Sequence, residues 1–351
     1  MKRKKSIHDI ARELNVSATT VSFVLNGKVE EKRISADLAQ KITSYIKEVG
    51  YQPNMVAKSL RTGKSNIIGM LVEDISDPFF SAIARFVEEG AYKTGYKILN
   101  SSTENKTEKA KELMKVFRDR QVDGYIIAPT PGIEQDVQAL MDDSFPVILF
   151  DRYFPELVTD TVVIDNYGGA YDAIVHFIEN KYENIAFVTL DSDQVQMHER
   201  LDGYQKAMAE NDLQTSVLKI SYNMQVDRIA EKIKTYLKKN PQIDSILFAT
   251  NYLAIAGLRA LKDLGLTVPD NVGVIGFDDN THFALFTPSI TAVAQPVEEI
   301  SKNVVKLLIA RLSDDNKSTK KEKIVLPTQL IVRESSLKRV KKKDTKTTNR
   351  K

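Results

Sequence analysis

The residues best suited to chemistry are polar and aromatic side chains just past short apolar runs. Asp77, with Phe79 and Phe80, follows the run 67–72, and Asp151, Arg152 and Tyr153 follow 147–150. Tyr222, Asn251 and Asp278 stand just past three later runs, and Arg200 lies near the start of a helical segment, with Gln196 just ahead of it. Carboxylates and amides accept from hydroxyls, an arginine donates as a fork, and aromatic rings make walls. Such a set suits a sugar or sugar derivative in a cleft. A duller reading stands beside it, in which strand-end acids cap the next helix and the aromatics belong to the core. Catalysis finds less support. The histidines are His8, His176, His198 and His282, there is no cysteine, and no nucleophile–base–acid set declares itself. No GxGxxG follows a strand, and no P-loop or GxSxG occurs. The chain reads as a non-enzyme that needs neither metal nor cofactor.

A second set of candidate residues lies at the N-terminus, within 7–27. Ile7, Ile10, Ala11 and Leu14 recur at helical spacing, and Ser6 with Asp9 makes a capping box. Asn15-Val16 breaks the period, Ser17 caps a second helix, and Asn26-Gly27 stops it. Val21, Val24 and Leu25 form its inner face, which leaves Ser17, Ala18, Thr19, Ser22 and Phe23 outward. Two short helices on a minimal turn make a helix-turn-helix, whose second helix enters the DNA major groove. The alternative is a plain helical hairpin. The N-terminal position, the basic charge and a third amphipathic helix over 35–49 favour DNA.

From residue 66 the texture changes. Strands are predicted at 67–72, 95–100, 124–128, 147–150, 185–190, 217–220, 246–249 and 272–276. Helices are predicted at 79–94, 107–120, 169–180, 199–211, 226–239 and 254–264. Continuous apolar strands alternating with helices mean parallel sheets covered on both faces. Ligands of such sheets sit beyond the carboxyl ends of the strands, where the candidate residues lie.

The N-terminal stretch resembles the headpiece of the LacI/GalR family of bacterial transcription repressors. The matching residues are Asp9-Ile10-Ala11, Val16-Ser17, Thr20-Val21-Ser22 and Val24-Leu25-Asn26. Gly50-Tyr51-Gln52-Pro53-Asn54 and Ala57-Lys58-Ser59-Leu60 continue the match, which runs to about Ser336. The resemblance implies an α headpiece over 1–52, a hinge helix and linker over 53–65, and an α/β periplasmic-binding-protein-like core over 66–337. The core would divide into two doubly wound subdomains, about 66–163 with 295–325 and about 164–294 with 326–337. It implies DNA contacts from Ser6, Ser17, Ala18, Thr19, Thr20, Ser22, Phe23, Asn26 and Lys28. Hinge contacts are implied for Asn54, Ala57, Leu60 and Arg61, with Leu60 as an apolar wedge in the minor groove. A plain linker is the alternative for the hinge. The resemblance also implies that Arg200 and Asp278 reach the effector. Two residues depart from the family pattern. Phe23 replaces a base-reading arginine or histidine and cannot donate to guanine, and Asn251 replaces a frequent aspartate.

Charge is distributed to match. Residues 1–64 hold 13 Lys and Arg against 6 Asp and Glu, and 338–351 hold 8 against 1, so 65–337 is strongly acidic. Polyanion binding is therefore expected at the ends. Lys2, Arg3, Lys4, Lys5, Lys28, Lys32 and Arg33 are the phosphate-contact candidates, and 338–351 reads as a disordered basic tail. The absence of cysteine, of a secretory signal and of a ~20-residue apolar span points to a cytoplasmic protein without membrane contact. The expected function is a homodimeric repressor on a near-palindromic operator, with 81–87 as a candidate dimer surface. No tetramerising heptad follows Ser336. Control by a protein corepressor, or a non-regulatory binding protein, are the alternatives.

Overall fold

Ser6, Ser17 and Ser35 each start a helix by turning a side-chain oxygen onto a first-turn backbone N–H. These are α1 (Ile7–Glu13), α2 (Ala18–Leu25) and α3 (Ala36–Glu48). At α1 the cap is reciprocal, since Ser6 N also donates to Asp9 at 2.9 Å. Asn15 takes the left-handed conformation, φ 53°, which folds the chain sharply between α1 and α2. Ile10, Ala11, Val21 and Ile42 are buried between the helices, and Leu14, Val24, Leu25, Leu38 and Tyr45 pack around them. A core this small leaves little margin.

The computed structural model describes residues 5–51, 63–222, 224–313 and 320–337, in two units that part between Ser65 and Asn66. The hinge candidates Asn54, Ala57, Leu60 and Arg61, and the tail 338–351, lie outside the described residues.

The second unit holds two six-stranded sheets. The first has the order β2 (Lys97–Ser102), β1 (Ile67–Val72), β3 (Gly124–Ile127), β4 (Val147–Phe150), β5 (Asp160–Ile164), β11 (Lys323–Leu326). The second has the order β7 (Ser216–Ser221), β6 (Ile185–Asp191), β8 (Ser245–Phe248), β9 (Gly273–Phe277), β10 (Thr291–Ala294), β12 (Gln329–Ile331). All pairs are parallel except β10 with β12, which corrects the all-parallel expectation. Side chains of the first sheet alternate between two cores. Met70, Ile126 and Ile148 face one core, while Leu71, Ile127 and Leu149 face the other with Ala110, Met114 and Val137.

In chain order the helices of this unit are α4 (Pro78–Lys93), α5 (Thr107–Asp119), α6 (Glu134–Asp142), α7 (Asn166–Glu179), α8 (Val195–Glu210), α9 (Val226–Lys239), α10 (Asn251–Asp263) and α11 (Val297–Leu312). Helices α6 and α11 and strands β5, β10, β11 and β12 go beyond the elements read from the sequence. Helix α8 begins four residues before the predicted start, because Gln194 makes no side-chain cap and leaves no start signal. Among the described residues no helix is long and apolar enough to cross a membrane. The chain passes between the sheets after β5, after β10 and after β11. Helix α8 lies close on α7 because residue 203 is glycine, where a Cβ would overlap the carbonyl of Tyr167.

One buried ion cluster ties the edge of the first sheet. Asp160 accepts from Arg311 Nε and Nη2 at 3.0 and 2.8 Å, from Glu322 N at 2.9 Å, and from Lys321 at 3.4 Å. Burial alone would raise its pKa, but these donors outweigh burial and hold the carboxyl below its ordinary value. Its contribution is present above the unfolded carboxyl range and lost as pH falls through the depressed folded value. We expect Asp160→Ala to cost about 3 kcal/mol in urea unfolding of the full chain at pH 7, because Arg311 loses its buried counter-charge. Variant and parent should converge in acid. A loss below about 1 kcal/mol would show the cluster to be dispensable.

Candidate functional site

The headpiece presents the start of α2. Ser17 and Thr19 are exposed, while Thr20, Ser22 and Phe23 are half-buried. Ser17 Oγ accepts from Thr20 N at 3.0 Å and lies 2.8 Å from Thr20 Oγ1. Asn26 Nδ2 donates to Ser22 O at 2.6 Å, closing the far end of the helix. Ala18 is half-buried and packs against the headpiece core, which corrects its outward placement. The basic candidates are partly engaged already. Lys28 and Lys32 lie 3.5 and 2.8 Å from Glu31, and Lys5 lies 2.6 Å from Glu13. Lys32 also stands over the Phe23 ring at 5.5 Å, so this aromatic is a shared surface of ring and cation. Ser6 is exposed, with its hydroxyl held by Asp9 at 2.7 Å.

In the second unit the strand-end residues converge on one cleft. Its lining includes Asp77, Phe79, Phe80, Asp151, Arg152, Gln196, Arg200, Asn251 and Asp278, around about 430 Å³ that includes its solvent mouth. Asp151 and Asp278 occupy equivalent places. Each follows a phenylalanine at the end of the fourth strand of its sheet, and each has φ 66°. Aspartate tolerates this left-handed conformation better than most residues. Asp77 caps α4 through Phe79 N at 2.8 Å and accepts from Asn251 Nδ2 at 3.3 Å. It therefore caps a helix and faces the cleft at once.

Arg200 is the most constrained group. Its Nε donates to Asn166 at 2.9 Å, its Nη1 donates to Ala249 O at 2.5 Å, and its guanidinium lies 3.6 Å from the Phe277 ring centre. Its Nη2 stands 3.8 Å from Asp278. Gln295 Nε2 donates to the same aspartate at 2.6 Å. Burial pushes the Asp278 carboxyl up to about 6, against the opposing pull of Arg200 and Gln295. Burial also raises Asp77 and lowers Arg200. Burial would lower Arg152 too, but Asp151 and Glu73 outweigh it and hold that group protonated. Arg152 donates to Asp151 at 2.7 Å and to Glu73 at 2.6 Å. Its Nη1, and the Oε1 atoms of Gln196 and Gln295, are buried without a hydrogen-bond partner.

Two candidates sit differently from expectation. Tyr153 does not line the cleft. Its hydroxyl donates to Glu199 at 3.2 Å across the two subdomains, with Lys323 over its ring at 3.6 Å. Tyr222 is also outside the lining and is held to Glu73, which does line it. The cleft adds residues beyond the candidates, including Glu73, Gln194, Met197, Thr250 and Tyr252. Glu73 is the first residue past β1 and Tyr252 adjoins Asn251, so the same signal reached them. Gln194 carried none, and it bridges to Asn105 at 3.0 Å. Among the described residues the lining holds no histidine, serine or cysteine, and its polar groups are carboxylates, guanidinium groups, amides and the hydroxyls of Thr250 and Tyr252. Nor do the described residues include a group of three or more His, Asp or Glu that could hold a metal ion.

The sequence and the fold both have relatives. Residues 6–54 match the family of bacterial regulatory proteins, lacI family, and residues 174–336 match the periplasmic binding protein-like domain. The HTH-type transcriptional regulator RegA of Clostridium saccharobutylicum is 32% identical over 334 residues, 95% of this chain and 99% of RegA. A periplasmic binding protein/LacI transcriptional regulator from Alkaliphilus metalliredigens, solved with D-xylulofuranose, is 28% identical. It covers 77% of this chain and 98% of its own, with a TM-score of 0.69. The lac repressor dimer, solved on operator with the anti-inducer ONPF, shares the fold at a TM-score of 0.83 and 22% identity, covering 95% of this chain and all of its own. The headpiece, the two-sheet core and these relatives together place the chain in the lacI family of bacterial regulatory proteins, as a DNA-binding transcriptional regulator.

Proposed function

We propose that this chain is a homodimeric, cytoplasmic repressor whose operator affinity is set by a sugar or sugar derivative bound in the cleft. The observation that carries the effector reading is the incomplete satisfaction of buried groups. Arg152 Nη1 and Gln196 Oε1 lie buried and unpartnered among the lining residues, and native proteins rarely leave such atoms unpaired. A hydroxyl both donates and accepts, so a polyol satisfies such a mixed set. Phe79 and Phe80 supply an apolar wall beside it. The related regulator solved with D-xylulofuranose supports the same ligand class. Arg200 and Asp278 are the central contacts, with Asp77, Asp151, Arg152, Gln196 and Asn251 around them.

On the DNA side, Ser17, Thr19, Thr20, Ser22 and Phe23 read the major groove, and Ser6, Asn26 and Lys28 meet the backbone. Asn54, Ala57, Leu60 and Arg61 act as the minor-groove hinge. Pairing of two copies follows from the need to present two headpieces to a near-palindromic site. Exposed Val226, Ile255, Leu285 and Phe286 offer apolar area for that contact on the second subdomain. Residues 81–87 offer less on the first, where Ile83 and Val87 are wholly buried within the fold.

The test is binding of the full chain to its own upstream DNA at fixed salt, with and without a panel of sugars. Specific binding that one sugar shifts establishes the reading. Specific binding that no small molecule shifts favours a protein corepressor, and binding no tighter than to random DNA overturns the regulator mechanism proposed here.

Substitution of the central residues should separate the two activities. Arg200→Lys, which keeps the buried charge but loses the planar fork, is expected to weaken sugar binding by about 100-fold while leaving operator binding without effector intact. Asp278→Asn should also weaken sugar binding, yet stabilise the free protein. Its folded pKa is raised, so ionised Asp278 is a cost to stability above about pH 6 that disappears as pH falls towards the unfolded carboxyl range. The melting temperature of the variant should therefore exceed that of the parent at pH 7.5, with the gap closing on acidification. An unchanged gap across that range would assign the variant's effect to something other than this carboxylate.

A further inference from the structure

The cleft carries a charge imbalance that its own contacts do not resolve. Glu73, Asp77, Asp151 and Asp278 bring four carboxylates to the lining, and Arg152 and Arg200 bring two guanidinium groups. Arg152 is committed to Asp151 and Glu73, at 2.7 and 2.6 Å. Arg200 spends two N–H groups on Asn166 and Ala249, and its remaining arm faces Asp278. Asp77 is met by neutral donors, the Phe79 backbone and the Asn251 amide. The acids also act on one another. Asp77 and Asp151 both push Asp278 upward, and Glu73 does the same to Asp77.

The groups just outside the lining do not restore the balance. Glu199 adds a carboxylate, held by Tyr153 and Asn166, and Lys323 is stacked on the far side against the Tyr153 ring. Burial raises the phenol pKa of Tyr222 and of Tyr252, which keeps both neutral.

The open hydrogen-bonding positions are of both kinds. Gln196, 3% exposed, has a free acceptor in the lining, and Gln295, outside it and bonded to Asp278, has another. The donors are Nη1 of Arg152, itself 5% exposed, and the arm of Arg200 that faces Asp278 at 3.8 Å. A phosphate or carboxylate placed here would add a further negative charge to four carboxylates set against only two guanidinium groups, in a partly dewatered space. Hydroxyl protons or an ammonium group would instead find acceptors at Asp77, Asp278 and Gln196.

We propose that the cleft selects a hydroxyl-rich effector without an anionic group, an uncharged sugar or its amine-bearing counterpart, and rejects sugar phosphates and sugar acids. This rests on the effector reading above and narrows it. Calorimetry on the full chain at pH 7.5 tests it with matched sets on each common pentose and hexose ring: parent sugar, amino sugar, terminal phosphate and uronic acid. In the set that binds, the phosphate and the acid should bind at least about 30-fold more weakly than the parent, because like charges are brought together. Glu73→Gln, which removes one acid and releases part of Arg152, should narrow that gap several-fold, read as the ratio of anionic to parent affinity within the set that binds. A phosphate or acid that binds as tightly as its parent sugar overturns the charge inference alone and leaves the effector reading standing. No binding by any member of any set overturns the effector reading, and this inference with it.

Discussion

A guanidinium held out of water is the constraint on which the core depends. Desolvating Arg200 costs several kcal/mol unless its N–H groups find partners. Those partners come from separate elements: Asn166 opens α7, Ala249 closes β8, and Phe277 and Asp278 end β9. The arginine is therefore satisfied only when a helix and two strand ends are in register. Gly203, one turn further along α8, permits the close approach to α7 that brings Asn166 into range. The same geometry leaves Asp278 only partly compensated, which is why burial dominates its titration.

The two sheets repeat one strand order and one device at the end of the fourth strand. A Phe-Asp pair turns into the left-handed region and aims a carboxylate at the cleft. The two copies differ in counter-charge. Asp151 is neutralised by its neighbour Arg152, so the pair is fixed by local sequence. Asp278 depends on Arg200, more than seventy residues away, and on Gln295. One half of the cleft is thus set by local sequence and the other by tertiary packing.

That contrast explains what was legible in the sequence. Asp77, Asp151, Arg152, Asn251 and Asp278 were readable because strand ends are marked by an abrupt loss of apolar residues. Glu73 and Tyr252 carried the same mark. Gln194 is the N-cap residue of α8 but makes no capping bond, so nothing local announces where that helix begins. Tyr153 carries the strand-end signal and yet leaves the cleft, because Glu199 and Lys323 draw it aside. Ala18 falls on the outer arc of an ideal helix, but in a headpiece whose described residues include four buried apolar side chains it is recruited to the core. Periodicity located the elements, while side-chain destinations that depend on distant partners were not encoded locally.

On the proposed effector reading, the crossings between the sheets are where a bound ligand would act on conformation. Asn166 stands just past β5 and Gln295 just past β10, at two of the three places where the chain changes sheet. Each is hydrogen-bonded to one of the two central charges of the cleft: Asn166 accepts from Arg200, and Gln295 donates to Asp278. Further side-chain bonds close the cleft, among them those between Asn251 and Asp77, Gln194 and Asn105, Tyr153 and Glu199, and Tyr222 and Glu73. A ligand shifts such an equilibrium only by binding one arrangement more tightly than another. A ligand that takes the free positions of Arg152 and Gln196 while these amide bonds persist favours the closed arrangement. A ligand that displaces Gln295 or Asn166 from its charge loosens a crossing and favours a different one. The sense of the response to an effector therefore turns on whether it adds to the bonds at the crossings or competes with them.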